Sequence, residues 1–172
     1  GTSWTTGASL NTARSKLGGS GSTSNSVLAY TGEIVPGSQS NATESFDGSS
    51  WTTIPATVAT ARERVGSAGA SNSSALLFGG NSPPTVSITE EFNTSVNVIT
   101  AAAWASGGNL NTGRHNLAGT GTQTAGLAFG GTPPVTGKTE EYDGSSWTES
   151  GDLNTARDSL HGFGSQTAAV GA

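Results

Sequence analysis

The groups in this 172-residue chain able to do acid–base, anion-binding or metal chemistry are few: seven lysines and arginines, twelve carboxylates and two histidines. Four of the arginines stand at one spacing, ten or eleven residues after a tryptophan: Trp4/Arg14, Trp51/Arg62, Trp104/Arg114 and Trp147/Arg157. Three glutamates recur in the same way, each preceding an aromatic in a Thr-Glu-x-Phe/Tyr segment: Glu44 with Phe46, Glu90 with Phe92 and Glu140 with Tyr142. One chemistry open to such a set is a ring of arginines that binds an anion or an acidic glycan. The other is ion pairing within the scaffold. In a strand, residues two apart share a face, so a glutamate two before a buried aromatic is at least partly buried with it. A buried carboxylate needs a partner, and the opposite charge supplied once per unit is the arginine. The expected pairs are Arg14/Glu44, Arg62/Glu90 and Arg114/Glu140, with Arg157 awaiting a glutamate beyond the last residue. The scaffold reading is preferred, and it predicts a fold that survives apolar replacement of both Arg114 and Glu140 but not of either alone.

Other constellations are thin. Glu90-Glu91 and Glu140-Glu141 are neighbours on a strand and point to opposite faces, so they cannot flank a substrate as a glycosidase pair does. His115 and His161 follow repeat arginines by one and four residues, without ligand spacing, and no cysteine is present for a disulfide, thiolate metal site or redox centre. No catalytic residue, metal or cofactor is expected. A net charge of −5 argues against nucleic acid, because counterion release needs clustered cations. No apolar run approaches the roughly 20 residues that span a bilayer, and no signal peptide is recognisable. Three Asn-x-Ser/Thr sequons, at Asn41, Asn72 and Asn93, are glycan acceptors if the chain passes through a secretory host.

The elements that must position these residues are short strands. Only 32% of the chain is hydrophobic and 26 residues are glycine, with no sustained helical periodicity. The recurrence instead divides residues 1–172 into the end of a truncated unit (1–9), three repeats (10–55, 56–108 and 109–151) and a half repeat (152–172). The third copy reads as four strands: a small-residue strand over 117–122, an apolar one over 126–131 ending in Gly-Gly, an alternating one over 139–143 and a short outer one over 146–149. Asp47-Gly48 and Asp143-Gly144 mark tight hairpin turns between strands three and four, and Pro83-Pro84 and Pro133-Pro134 mark loops between strands two and three. First-strand glycines suit a crowded centre. In the half repeat, Val170-Gly171-Ala172 aligns with Phe78-Gly79-Gly80. Trp4, Trp51, Trp104 and Trp147 are expected to stack between units with Phe46, Phe92, Tyr142 and the strand-two aromatics Tyr30, Phe78 and Phe129.

An arginine before strand one, Gly79-Gly80 and Gly130-Gly131 after strand two, then Glu-x-Phe/Tyr-Asp and tryptophan, resemble the kelch repeat. Thr31-Gly32 replaces the pair in the first copy, and the second replaces Asp-Gly-Ser-Ser-Trp by Asn93-Thr94 and a longer segment to Trp104, read as an extended or bulged hairpin. The resemblance implies an all-β fold of kelch-type β-propeller blades, each a four-stranded antiparallel sheet, in about three and a half repeats. The wording Leu-Asn-Thr-Ala-Arg and Thr-Glu-Glu-Tyr-Asp-Gly-Ser-Ser-Trp-Thr also resembles low-charge kelch-like arrays of marine phage structural proteins. A non-enzymatic structural or adhesive protein of an extracellular fibre or virion appendage follows, touching glycans by its loops. The alternative is a kelch-type protein–protein interaction module. Because both ends fall inside a repeat, the expected partners are identical copies joined head to tail, or a continuation of the same polypeptide.

Overall fold

The computed structural model describes residues 3–94 and 103–172. Among these there is no helix; the chain is all-β. The first sheet runs β1 (Gly18–Thr23), β2 (Ser26–Tyr30), β5 (Thr43–Phe46) and β6 (Trp51–Ile54), with a small hairpin of β3 (Glu33–Val35) and β4 (Ser38–Gln39) inserted after its second strand. The second contains β7 (Gly66–Ser71), β8 (Ser74–Phe78), β9 (Thr89–Asn93) and β10 (Ala103–Ser106). The third contains β11 (Ala118–Thr122), β12 (Ala125–Phe129), β13 (Thr139–Tyr142) and β14 (Trp147–Glu149), and a last hairpin joins β15 (Gly162–Gly164) to β16 (Ala169–Gly171). Every sheet is an antiparallel meander in sequence order. The four strands read from the third copy are those observed, each within one or two residues at either end.

The first strands of successive sheets pack side by side, in the order β1, β7, β11, β15, whereas the fourth strands do not approach one another in this way. Ser22 Oγ donates to the Ala70 carbonyl at 2.8 Å and Thr120 Oγ1 to the Gly164 carbonyl at 2.6 Å, tying the inner ends together. Sheets that touch along their inner strands and diverge outward bury a separate core at each junction. The first junction gathers Leu28, Tyr30, Ala75, Leu77 and Phe92; the second gathers Leu76, Phe78, Ala128, Tyr142 and Trp147.

First-strand glycine has a more specific reason than crowding. The residue seven after each repeat arginine is glycine with positive φ: 151° at Gly21, 142° at Gly69, 101° at Gly121 and 108° at Gly164. A Cβ at Gly69 would lie 2.7 Å from the Ser74 carbonyl oxygen across its own hairpin. In the first two sheets a bulge accompanies this conformation, seen as a register shift between Ser20 and Thr23 and between Ala68 and Ser71, whereas Gly121 and Gly164 pair in regular register. The Gly-Gly pair lies just beyond strand two. In the first copy Thr31 takes the first place at φ 55°, so the altered residue keeps the backbone turn, and its hydroxyl accepts the Arg62 N–H at 3.1 Å and donates to the Ser40 carbonyl at 3.0 Å.

Several expectations need correcting. The turn at Asp47-Gly48 is a four-residue loop, because Phe46 pairs directly with Trp51; the Asp47 carboxylate accepts the N–H groups of Ser49 and Ser50 at 2.8 and 2.9 Å. Asp143 does the same with Ser145 and Ser146, and these donors hold both aspartates down to about 2. The half repeat is shifted by two residues from its sequence alignment: Gly162 pairs with Gly171 as Gly119 pairs with Ala128, so Gly171 stands in place of Ala128 and not of a Gly-Gly glycine. The extended hairpin of the second copy falls largely on residues 95–102, outside the described residues, although Asn93 and Ala103 pair on either side. The β3–β4 hairpin was not foreseen.

Candidate functional site: the junctions between sheets

Each repeat arginine precedes strand one in a Leu-Asn-Thr-x-Arg-type loop, and each glutamate sits second on strand three. The fold brings all three expected pairs together: Arg14 Nη2 to Glu44 Oε1 at 2.7 Å, Arg62 Nη1 to Glu90 Oε1 at 2.5 Å and Arg114 Nη2 to Glu140 Oε1 at 2.6 Å. All six side chains are at most 2% exposed. Burial pulls the Arg14 and Arg62 guanidinium pKa values down, opposed by the adjacent glutamates, and an arginine stays charged throughout. An anion-binding ring of these arginines is therefore excluded, since none of the three faces solvent. Arg157 is exposed and makes no ion pair among the described residues.

Each pair is also a backbone clamp. The second carboxylate oxygen accepts the N–H three residues before the arginine: Asn11 at 2.7 Å, Ala59 at 2.7 Å and Asn111 at 2.8 Å. Arg114 Nη1 donates to the Gly130 and Lys138 carbonyls, both at 2.7 Å, and Arg14 Nη1 to those of Thr31 and Ala42. Asn11 and Asn111 pin the same loop to strand four, donating from Nδ2 to the Trp51 and Trp147 carbonyls. The loop's place is thus fixed by strands two, three and four of its own sheet.

The aromatic expectation holds for part of the set. Phe92 and Tyr142 are buried, and so is Trp147, while Trp104 is half-buried. Trp104 meets Tyr30 edge-on with centroids 5.0 Å apart, and Trp147 meets Phe78 at 4.7 Å. Each indole N–H reaches back to the preceding sheet: Trp104 Nε1 to Thr43 Oγ1 at 3.1 Å and Trp147 Nε1 to Thr89 Oγ1 at 3.0 Å. Thr43 and Thr89, which open the first two Thr-Glu-x-Phe/Tyr segments, are therefore sockets for the next sheet's tryptophan, a role their recurrence signalled but their chemistry alone did not. Trp4 is fully exposed at 103%, and Trp51 and Phe46 are half-buried, packed on each other at 5.0 Å. No preceding sheet covers them among the described residues, which is why this part of the expectation fails.

The remaining candidates separate. Glu141 is exposed, but Glu91 accepts the Tyr142 hydroxyl at 2.5 Å and burial with this neighbour pushes the phenol pKa up, so Glu91 is a junction residue. His115 Nδ1 bonds Thr85 Oγ1 at 2.8 Å, and burial lowers its pKa; His161 is exposed on the last unit. Among the described residues no three His, Cys, Asp or Glu side chains cluster to hold a metal. Asn72 is occupied structurally, donating to Ser45 Oγ at 3.2 Å and accepting from Ser26 Oγ at 3.0 Å; Asn41 and Asn93 are exposed, the sequon of Asn93 ending at Ser95 outside the described residues.

A cavity of about 790 Å³ lies along the inner strands, walled mostly by Gly, Ala, Ser and Thr of β1, β7 and β11, with Leu17, Val65, Leu117, Leu160 and Phe163 also lining it. Beside it the residues two after each repeat arginine form a belt of main-chain bonds: Arg64 N to Lys16 O at 3.0 Å, Asn116 N to Arg64 O at 3.1 Å and Ser159 N to Asn116 O at 2.8 Å. All four are left-handed, with φ between 53° and 57°. The two cations in the belt are compensated, Lys16 by Glu33 at 2.5 Å and Glu63 at 3.4 Å, and Arg64 by Glu63 at 3.5 Å. No protein-family model and no curated protein matches this sequence.

Proposed function

We propose that the chain is a run of kelch-type β-propeller blades and serves as a non-enzymatic structural or adhesive part of an extracellular fibre or virion appendage. The observation that carries this reading is the junction itself. The once-per-unit arginine, glutamate, threonine and aromatics are consumed in holding one sheet internally or to the next, so the repeat encodes an assembly of sheets. Inner strands that converge while outer strands diverge support a radial arrangement of blades. The loops outside the junctions, rich in Ser, Thr and Asn, offer uncharged hydroxyl and amide groups of the kind that hydrogen-bond sugars. A cryo-EM reconstruction tests the architecture: blades about an axis are expected, and sheets stacked in a straight row would overturn it. A glycan array tests adhesion, with binding expected. Capture of a protein partner by the loops without any glycan binding would replace adhesion by the interaction-module reading.

A further inference from the structure

Each of the two junctions between four-stranded sheets joins two unlike faces. One face presents the strand-two leucine and aromatic, Leu28 with Tyr30 or Leu76 with Phe78, together with the socket threonine. The opposing face, on the next sheet, presents a cross-strand row of a small residue, the strand-three aromatic and the tryptophan: Ala75, Phe92 and Trp104, or Gly126, Tyr142 and Trp147. A sheet therefore carries one face of each kind, and the junction has a direction.

Among the described residues, two apolar faces stand at the register positions of the two sides of this junction. The first sheet's face turned away from the second carries Val27, Phe46 and Trp51 in one cross-strand row, the register counterparts of Ala75, Phe92 and Trp104. All three are half-exposed, whereas Phe92, Tyr142 and Trp147 are buried. On the last hairpin, Phe163 and Val170 pair directly across the ladder and are 60% and 65% exposed. The alternate residues Gly162 and Gly171 lie against Phe129 of the third sheet, so Phe163 and Val170 point the other way. By register Val170 takes the place of Leu28, Leu76 and Leu127, the leucines that meet a following sheet.

We propose that these faces join between copies: the Val27/Phe46/Trp51 face of one molecule docks on the Phe163/Val170 face of a second, repeating the contact the chain makes between its own sheets. The occupant is a second copy because the two faces match the two sides of an internal junction in apolar character, register and direction, with Phe163 on strand one supplying the aromatic that strand two supplies in the other units. The contact is heterologous, so it extends to a ring or a filament. It holds in high salt, since neither row contains a charged side chain. The proposal stands on the junction geometry and does not depend on glycan binding, so loss of adhesion leaves it intact.

Sedimentation velocity on the full chain between about 1 and 100 µM tests it. Species larger than the 17.0 kDa monomer are expected to grow with concentration. Val27→Asp on one face and Val170→Asp on the other should each remove this growth, and far-UV circular dichroism checks that each variant keeps its strands. Mixing the two variants is the decisive arm: each retains one intact face, so a one-to-one dimer should appear that neither forms alone. If Val27→Asp does not fold, Trp51→Ser replaces it in the mixture. A wild-type monomer across the range, growth that survives both substitutions, or a mixture of folded variants that stays monomeric would overturn the proposal.

Discussion

Removing one member of the buried Arg114/Glu140 pair leaves an unpaired charge in the junction, so Arg114→Met should cost about 3–5 kcal/mol in urea unfolding. The double variant Arg114→Met/Glu140→Leu should recover only part of that loss. The Gly130 and Lys138 carbonyls and the Asn111 N–H all lose their partners together with the charges. Full recovery would show that these main-chain bonds contribute nothing. The pairing partners were legible in the sequence because strand alternation and the once-per-unit arithmetic leave a single solution. The backbone clamp was not, since a carbonyl acceptor has no signature in residue type. Nor did the letters distinguish Glu91, tied to a tyrosine 51 residues away, from the solvated Glu141.

Among elements, the first strand is the one whose geometry the sequence shows and conceals at once. Its glycines are conspicuous and serve two ends. Gly18, Gly66, Gly119 and Gly162 make room in a crowded centre for an aromatic or the neighbouring strand. The seventh after the arginine has positive φ, and a side chain there would strike the hairpin partner. Gly121→Ala should destabilise by on the order of 1–3 kcal/mol, because a Cβ there collides with the Ala125 carbonyl. Gly151→Ala, with open space around it, should leave the unfolding midpoint within experimental error. Equal effects would remove the positive φ and the close carbonyl as the explanation. Strand positions in the third copy were readable from period-two patterning and turn residues. The half repeat slipped by two because Gly171 and Ala172 match both the end of strand two and the Gly-Gly pair in size, and register is weakly specified where side chains are small.

For the molecule as a whole, stability divides into units and the interfaces between them, as in other repeat proteins. Trp147 is buried across the interface between the second and third sheets, so Trp147→Ala should cost about 3–5 kcal/mol. It should also split a single unfolding transition into two, seen as separate protection levels in hydrogen exchange. Trp4→Ala, at a fully exposed position, should change stability by no more than about 0.5 kcal/mol. The same letter thus carries two very different weights: Trp147 is paired in its own sheet and covered by the preceding one, whereas Trp4 lies in no strand.

The left-handed belt bears on how such a chain can be copied and edited. At one backbone position four unlike residues, Lys16, Arg64, Asn116 and Ser159, hold the same conformation and the same amide-to-carbonyl link. The joint itself is made of main chain, and the side chains on it differ from unit to unit, ion-paired at Lys16 and Arg64. A duplicated unit arrives already able to splice onto its neighbour, because the link does not depend on which side chain stands there. Descendants of one unit can accumulate different surfaces around the inner rim while their fastening stays interchangeable.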